Sequence, residues 1–267
     1  MTHDDPWSFL QAHTAARIAS GRAGHSLPTR ALLNFQLDHA RARDAVQAQL
    51  DTDSLLDQLA TLRPEPLRLH SQATDRQTYL QRPDLGRKLD ERSRANLQGL
   101  KNLTGLEFDL SIVIADGLSA TAVNQHAIAV TSKLVEAANQ LGWSLAPICL
   151  IEQGRVAIGD EIAHELGAEM VVILLGERPG LTSPDSLGAY LTYGPRPDLT
   201  NEARNCVSNI RPEGLPYDVA VEKVMYLLTA MKARRLSGVA LKDDGPTRTP
   251  LRTSSPAAIE RNPETPD

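Results

Sequence analysis

Three short aliphatic, β-branched runs separated by helix-length segments constrain this chain more than any other feature. They are Leu110-Ser111-Ile112-Val113-Ile114-Ala115, Leu145 to Ile151, and Met170-Val171-Val172-Ile173-Leu174-Leu175. None alternates polar with apolar residues, so each reads as a strand buried on both faces. Ser119 starts a helix that turns Val123, Ala127, Val130, Leu134, Val135 and Leu141 inward, and Gly142 ends it. Ile158 to Leu166 is the next helix. Strand, helix, strand, helix, strand with short connections predicts right-handed crossovers and an open, mostly parallel α/β sheet with helices on both faces. Gly188 to Tyr193 is a candidate further strand, and Tyr217 to Ala233 a closing amphipathic helix.

The flanks have a different texture. Residues 1–105 read as helices and loops, an N-terminal helical arm ahead of a main domain over residues 106–241. Thr29 is placed to cap a helix running through Leu32, Leu33, Leu37 and Ala40 towards Val46. Arg63-Pro64-Glu65-Pro66 breaks the chain, and Leu85 to Leu100 reads as a second helix. Such an arm buries little alone and is expected to dock on the main domain or on a partner. Residues 242–267 are rich in Pro, Thr, Ser and charge, the composition of a disordered tail.

Composition removes several functional classes. The chain is 41% apolar but only 4% aromatic, so its core is aliphatic and it has no platform for stacking single-stranded bases. A net charge of -5, with basic and acidic residues interspersed, argues against a nucleic-acid partner. No apolar run approaches the roughly 20 residues of a membrane span. Met1-Thr2-His3-Asp4-Asp5-Pro6 has no basic region followed by an apolar one, so it is not a secretory signal. Cys149 and Cys206 have no metal-ligand spacing and suggest a reducing compartment. A soluble intracellular protein is expected.

The loops after the strands carry the candidate chemistry. Asp116-Gly117-Leu118-Ser119-Ala120-Thr121 lacks the second glycine of a nucleophile elbow, and a helix N-cap explains Ser119. No G-x-G-x-x-G opens the first strand-to-helix turn, which disfavours a nicotinamide dehydrogenase. His164 and Gly167 have part of the spacing of a cobalt-ligating D-x-H-x-x-G loop, but position 162 is Ile162 and the segment reads as helix. His164 is therefore read as a helix-end histidine. Gly154-Arg155-Val156 precedes a helix whose free N–H groups can receive an anion, with Arg155 able to pair with a phosphate. In Gly176-Glu177-Arg178-Pro179-Gly180, Glu177 stands just past an apolar strand, where a carboxylate needs a partner. A ligand or an ion pair with Arg178 would supply one. Cys206, in Cys206-Val207-Ser208-Asn209-Ile210, reads as packing against a ligand rather than as a nucleophile, with Arg204 only weak support for a reactive thiol.

These three motifs, with Tyr79-Leu80-Gln81-Arg82-Pro83-Asp84-Leu85-Gly86-Arg87 and Ala115-Asp116-Gly117-Leu118-Ser119 upstream, resemble the small subunit of ethanolamine ammonia-lyase from about His13 to Gly238. The resemblance implies a Rossmann-like domain with a helical N-terminal arm. It also implies adenosylcobalamin as cofactor, with Val156, Glu177 and Cys206 as contacts and Arg155 and Arg178 as further candidates. A barrel-shaped large subunit would hold ethanolamine and the catalytic groups, and the complex would form acetaldehyde and ammonia by radical chemistry. No catalytic or metal-ligating residue is expected in this chain. Family sequence begins soon after Trp7-Ser8-Phe9-Leu10, with no long N-terminal extension. The cytoplasm is thus favoured over a bacterial microcompartment. From another functional class, a stand-alone nucleotide- or metabolite-binding regulatory domain stays open, since fold alone does not fix function.

Overall fold

The computed structural model describes residues 5–14, 16–62 and 65–242. The predicted tail beyond Lys242 and the Arg63-Pro64 half of the predicted break lie outside the described residues. The first half of the chain gives α1 (Thr29–Gln47), α2 (Thr52–Leu59), β1 (Leu67–His70), α3 (Arg76–Gln81) and α4 (Glu91–Thr104). The second gives β2 (Phe108–Ala115), α5 (Ala120–Gln140), β3 (Cys149–Glu152), α6 (Ile158–Leu166) and β4 (Ala168–Gly176). It ends with β5 (Leu187–Tyr193), β6 (Asn205–Ile210) and α7 (Tyr217–Arg234).

All six strands form one sheet in the order β1-β3-β2-β4-β5-β6. β1, β3, β2 and β4 are parallel, and β5 and β6 run antiparallel to their neighbours. The sheet is therefore mixed. Its parallel half is the one built from the apolar runs. The antiparallel half arises because the segment between β4 and β5 contains no helix to carry the chain back across the sheet.

Helices cover both faces. On one, α2, α5 and α7 pack over Leu110, Ile112 and Ile114 of β2, Val172 and Leu174 of β4, and Ala189 and Leu191 of β5. On the other, Leu97 of α4 and Ile158, Ile162 and Leu166 of α6 pack over Val113, Ile151, Val171 and Ile173. Alternate residues of β2 and β4 thus serve opposite cores, which is why these strands read as continuous apolar runs. Ser119 caps α5 as expected, accepting the Ala122 N–H at 3.3 Å.

Three details of the first half differ from expectation. Leu67–His70 is an edge strand within the region expected to hold only helices and loops. Four residues long and half polar, it has no periodicity to announce it. The second predicted helix starts at Glu91 rather than near Leu85, because Asp90 caps it by accepting the Ser93 N–H at 2.7 Å. Thr29 lies inside α1, which follows Pro28 and has no side-chain cap. Packing also changes before residue 105: Tyr79, Leu89 and Leu97 are fully buried, whereas α1 leaves Leu32, Leu33, Phe35 and Leu37 exposed.

Leu134 is fully buried in the middle of α5 against the sheet. Leu134→Ala should lower unfolding free energy by about 2–5 kcal/mol, read as an earlier denaturant midpoint with an unchanged slope.

Candidate functional site

The chain leaves β2 towards β3 and leaves β4 towards β5, in opposite directions across the sheet. The carboxyl ends of these two neighbours are thus the switch point at which open α/β sheets hold ligands. Here backbone closes it. The Leu118 N–H donates to the Gly176 carbonyl at 2.8 Å. Gly117 has φ +58°, and a Cβ there would lie 2.2 Å from that same carbonyl oxygen. No crevice separates the two loops. Open surface lies beside them, where Cys206 and Ser208 project from the β6 face opposite α7 and are exposed.

The Gly154-Arg155-Val156 loop, between β3 and α6, is held from below by the upstream motif. Gly86 accepts the Arg155 N–H at 2.8 Å through its carbonyl, and the Tyr79 hydroxyl lies 3.4 Å from the Gly154 carbonyl. Arg155 stacks its guanidinium 4.4 Å from the centre of the Tyr79 ring and donates to the Tyr79 carbonyl at 2.8 Å. Arg76 lies over the same ring at 4.7 Å. Burial and the nearby Asp116 charge push the Tyr79 hydroxyl up to about 12, so it stays protonated. Arg155, able in principle to pair with a phosphate, here also holds its own loop through these contacts, while its Nε has no hydrogen-bond partner among the described residues. Val156 is left half-buried at the rim, against the core shared by α4 and α6. The first turn of α6 already contains two acids, Asp160 and Glu161, and these bind Arg204 and Arg94 respectively.

Glu177 is held by Ser186 and Asn209 rather than by an ion pair with Arg178. Its Oε2 accepts a hydrogen bond from the Ser186 hydroxyl and another from the Asn209 N–H at 3.1 Å. Arg178 is exposed and takes no part in this. The Asn209 N–H is available because β6 carries a bulge. Leu187 pairs with Ile210 and Ala189 with Val207, so the register shifts by one residue around Ser208 and Asn209. Asn209 adopts φ +59°, a left-handed conformation that asparagine tolerates better than most residues. The Cys-Val-Ser-Asn-Ile motif thus encodes a strand whose irregularity supplies a donor to the carboxylate. Gly188 completes the arrangement: a Cβ there would lie 2.9 Å from Glu177 Oε1.

Cys206 stands opposite Tyr190 across the β5–β6 ladder, and both feel the Glu177 charge. Partial burial of its sulfur, then that charge, raises the thiol above its ordinary value, with Tyr190 and Ser208 opposing. Arg204 does not help to ionise it, because its guanidinium forms a buried ion pair with Asp160. A neutral contact residue fits this setting better than a nucleophile. Tyr190 also rests on the α4–α6 core that Val156 borders. Glu177 and Cys206 therefore flank Tyr190, and Val156 lies against the same core. Ser186, Gly188, Tyr190 and Asn209 are the supporting residues that sequence reasoning passed over, and only Gly188 and Asn209 carried a local signal.

His164 ends α6 beside Ala168, at the amino edge of the sheet and away from these loops. A depression of about 530 Å³ lies there, lined by Lys101, Asp109, His164 and Glu169 among others. Two of its acids are already matched: Lys232 reaches Asp109 and Glu169, each at 2.5 Å. None of the motif residues lines it.

Residues 4–242 match the family model described as ethanolamine ammonia-lyase light chain (EutC). The chain belongs to that family. It is 50% identical over 259 residues to the ethanolamine ammonia-lyase small subunit of Pseudomonas fluorescens SBW25, covering 97% of this chain and 93% of the relative. With the protein of that name from Azotobacter vinelandii it shares 55% over 241 residues, 90% of this chain and 89% of the relative. The Ralstonia nicotianae protein of that name is 54% identical over 239 residues, 90% and 88% of the two chains. The light-chain resemblance seen in the sequence motifs is thus met across nearly all of the described chain. No helix among the described residues is long and apolar enough to cross a membrane.

A methyl group at position 188 would displace the Glu177 carboxylate. Gly188→Ala should leave the sheet folded by circular dichroism yet lower its unfolding free energy by about 1–3 kcal/mol, and Ser186→Ala should cost less, since Asn209 still holds Oε2.

Proposed function

We propose that this light-chain family member is the small subunit of an adenosylcobalamin-dependent ethanolamine ammonia-lyase. In that role it binds and orients the cofactor against a larger, barrel-shaped subunit that holds ethanolamine. The small-subunit names of its relatives support a larger partner.

The observation that carries the reading is the state of Glu177. Oε2 takes both protein donors, leaving Oε1 directed over Gly188 with no protein donor among the described residues. A carboxylate has about four acceptor positions, and an amide-fringed corrin offers many N–H donors. Cys206 adds a neutral thiol near it, and Val156 an apolar side chain on the core that Tyr190 also borders. The residues present therefore fit a large, flat, amide-bearing ligand lying across the β5–β6 side of the carboxyl edge.

Adenosylcobalamin, once bound, supplies the radical chemistry that turns ethanolamine into acetaldehyde and ammonia. The part of this chain is binding, orientation and exclusion of water. Glu177 would hold the cofactor by accepting an amide N–H, with Val156 and Cys206 as its neutral contacts. Arg155 contributes at one remove, by keeping Val156 in place, and Arg178 is free to meet the partner or the cofactor rim. No catalytic group is assigned to this chain, and the cytoplasm is its proposed location.

Co-expression with the large subunit tests this directly. Acetaldehyde should form only when both chains and adenosylcobalamin are present. Glu177→Ala should weaken cofactor binding by about tenfold in an otherwise intact complex. An unchanged affinity in that variant would sink the assignment of Glu177.

A further inference from the structure

Asp116 immediately follows β2, has only 3% of its surface exposed and makes none of the contacts proposed above. Its Oδ1 accepts the Gly154 N–H at 2.9 Å and the Gly117 N–H at 3.0 Å. Its Oδ2 faces Arg76 Nη1 at 3.5 Å. Arg76 donates in turn to the Gly117 carbonyl at 2.8 Å and, through Nε, to the Val46 carbonyl of α1 at 2.7 Å. On its other side, the Asp116 carbonyl is packed so closely against Gly176 that a Cβ on Gly176 would lie 2.6 Å from it. One residue thus grips the loop that ends in Val156 through its side chain. Through its backbone it abuts the strand end that leads into Glu177.

We propose that Asp116, through its ion pair with Arg76, is a positioning residue for the cofactor, holding the Gly154–Val156 loop in register with Glu177 so that both meet one face of the corrin. The inference rests on the cofactor-binding reading above. It assigns Asp116 no contact with cofactor or substrate.

Burial pushes the Asp116 carboxyl up to about 6, against the opposing pull of Arg76 and the N–H groups of Gly154, Gln153 and Gly117. The ionisable groups facing it are Arg76 and Tyr79 of α3, with Arg155 beyond the Tyr79 ring. The Gly117–Ser119 and Gly176 segments bring backbone to it. Because the folded value lies above the ordinary 3.8, the native chain takes up this proton before the unfolded chain does. As pH falls through about 6, this site adds to folding stability while its ion pair with Arg76 is lost. A positioning role therefore predicts that cofactor grip weakens in acid where this group's contribution to the fold strengthens. A purely structural role predicts no such divergence.

The test uses the assembled two-subunit enzyme and measures the adenosylcobalamin Kd by absorbance titration from about pH 8 down to about pH 5, with thermal melting in parallel. In the wild type, Kd should rise as pH falls through about 6. Asp116→Asn should be weakened by about tenfold at neutral pH and nearly flat through that window, and Asp116→Ala, which also loses the Oδ1 acceptor, should be weaker still. An Asp116→Asn complex with wild-type affinity and a wild-type pH profile overturns the inference. Arg76→Gln breaks the pair from the other side and serves if Asp116→Asn does not assemble: weakened binding supports the proposal, and wild-type affinity overturns it. Glu177→Ala is the reference. If it loses affinity while the Asp116 variants do not, only the positioning role falls. If it too binds as wild type, the cofactor reading of Glu177 falls, and the positioning role falls with it.

Discussion

The burial of β2 and β4 on both faces is the constraint on which the rest of the molecule depends. Leu110, Ile112 and Ile114 point to one core and Val113 and Ala115 to the other, and β4 repeats the pattern. A strand of that kind is stable only with a layer on each side, so α5 and α7 must lie on one face and α4 and α6 on the other. That arrangement sends every strand-to-helix loop of the parallel half to one edge. The site is placed at that edge by the packing of the sheet, before any of its own residues are considered.

The edge is then tightened by interactions that would be wasteful elsewhere. Buried carboxylates are tolerated where they are matched. Asp116 meets Arg76, Asp160 meets Arg204, and Glu161 takes Arg94 together with the Leu89 N–H at 2.9 Å. Each pair joins segments distant in sequence: α3 to the turn after β2, the residue before β6 to α6, and α4 to α6. Charge here fixes relative position, while the aliphatic layers supply the bulk of the stability. Tyr79 is the exception that adds packing, serving as a shared face for two guanidinium groups.

Much of this was legible in the sequence, and the rest failed for identifiable reasons. The three apolar runs located β2, β3 and β4, Ser119 located the start of α5, and Ile158–Leu166 matched α6 to the residue. β3 came out shorter than its apolar run because only Cys149–Glu152 pairs with β1, and within it only Cys149, Leu150 and Ile151 pair with β2. β1 and β6 were missed because edge strands need not be apolar, and Leu-Arg-Leu-His and Asn-Cys-Val-Ser-Asn-Ile carry little pattern. The motifs marked the correct loops, but the partners of their side chains were not readable. Arg178 neighbours Glu177 in sequence, yet it is Ser186 and Asn209 that hold one carboxylate oxygen, brought to it by a turn and a bulge. Sequence adjacency is a poor guide to pairing once the backbone changes direction.

The bulge in β6 has one more consequence. β6 closes the sheet, and a terminal strand normally offers a row of free N–H and C=O groups on which another chain can build. Here that row is spoiled at both ends. The Asn205 side-chain amide donates to the Gly238 and Leu241 carbonyls at 3.3 and 3.0 Å, tying that segment beside the beginning, and the left-handed turn at Asn209 interrupts the end. Both features disfavour continuation of the sheet along this edge by another chain. Whatever docks here must recognise contour and side chains, which makes the surface selective for a shaped partner and resistant to indiscriminate strand-to-strand aggregation.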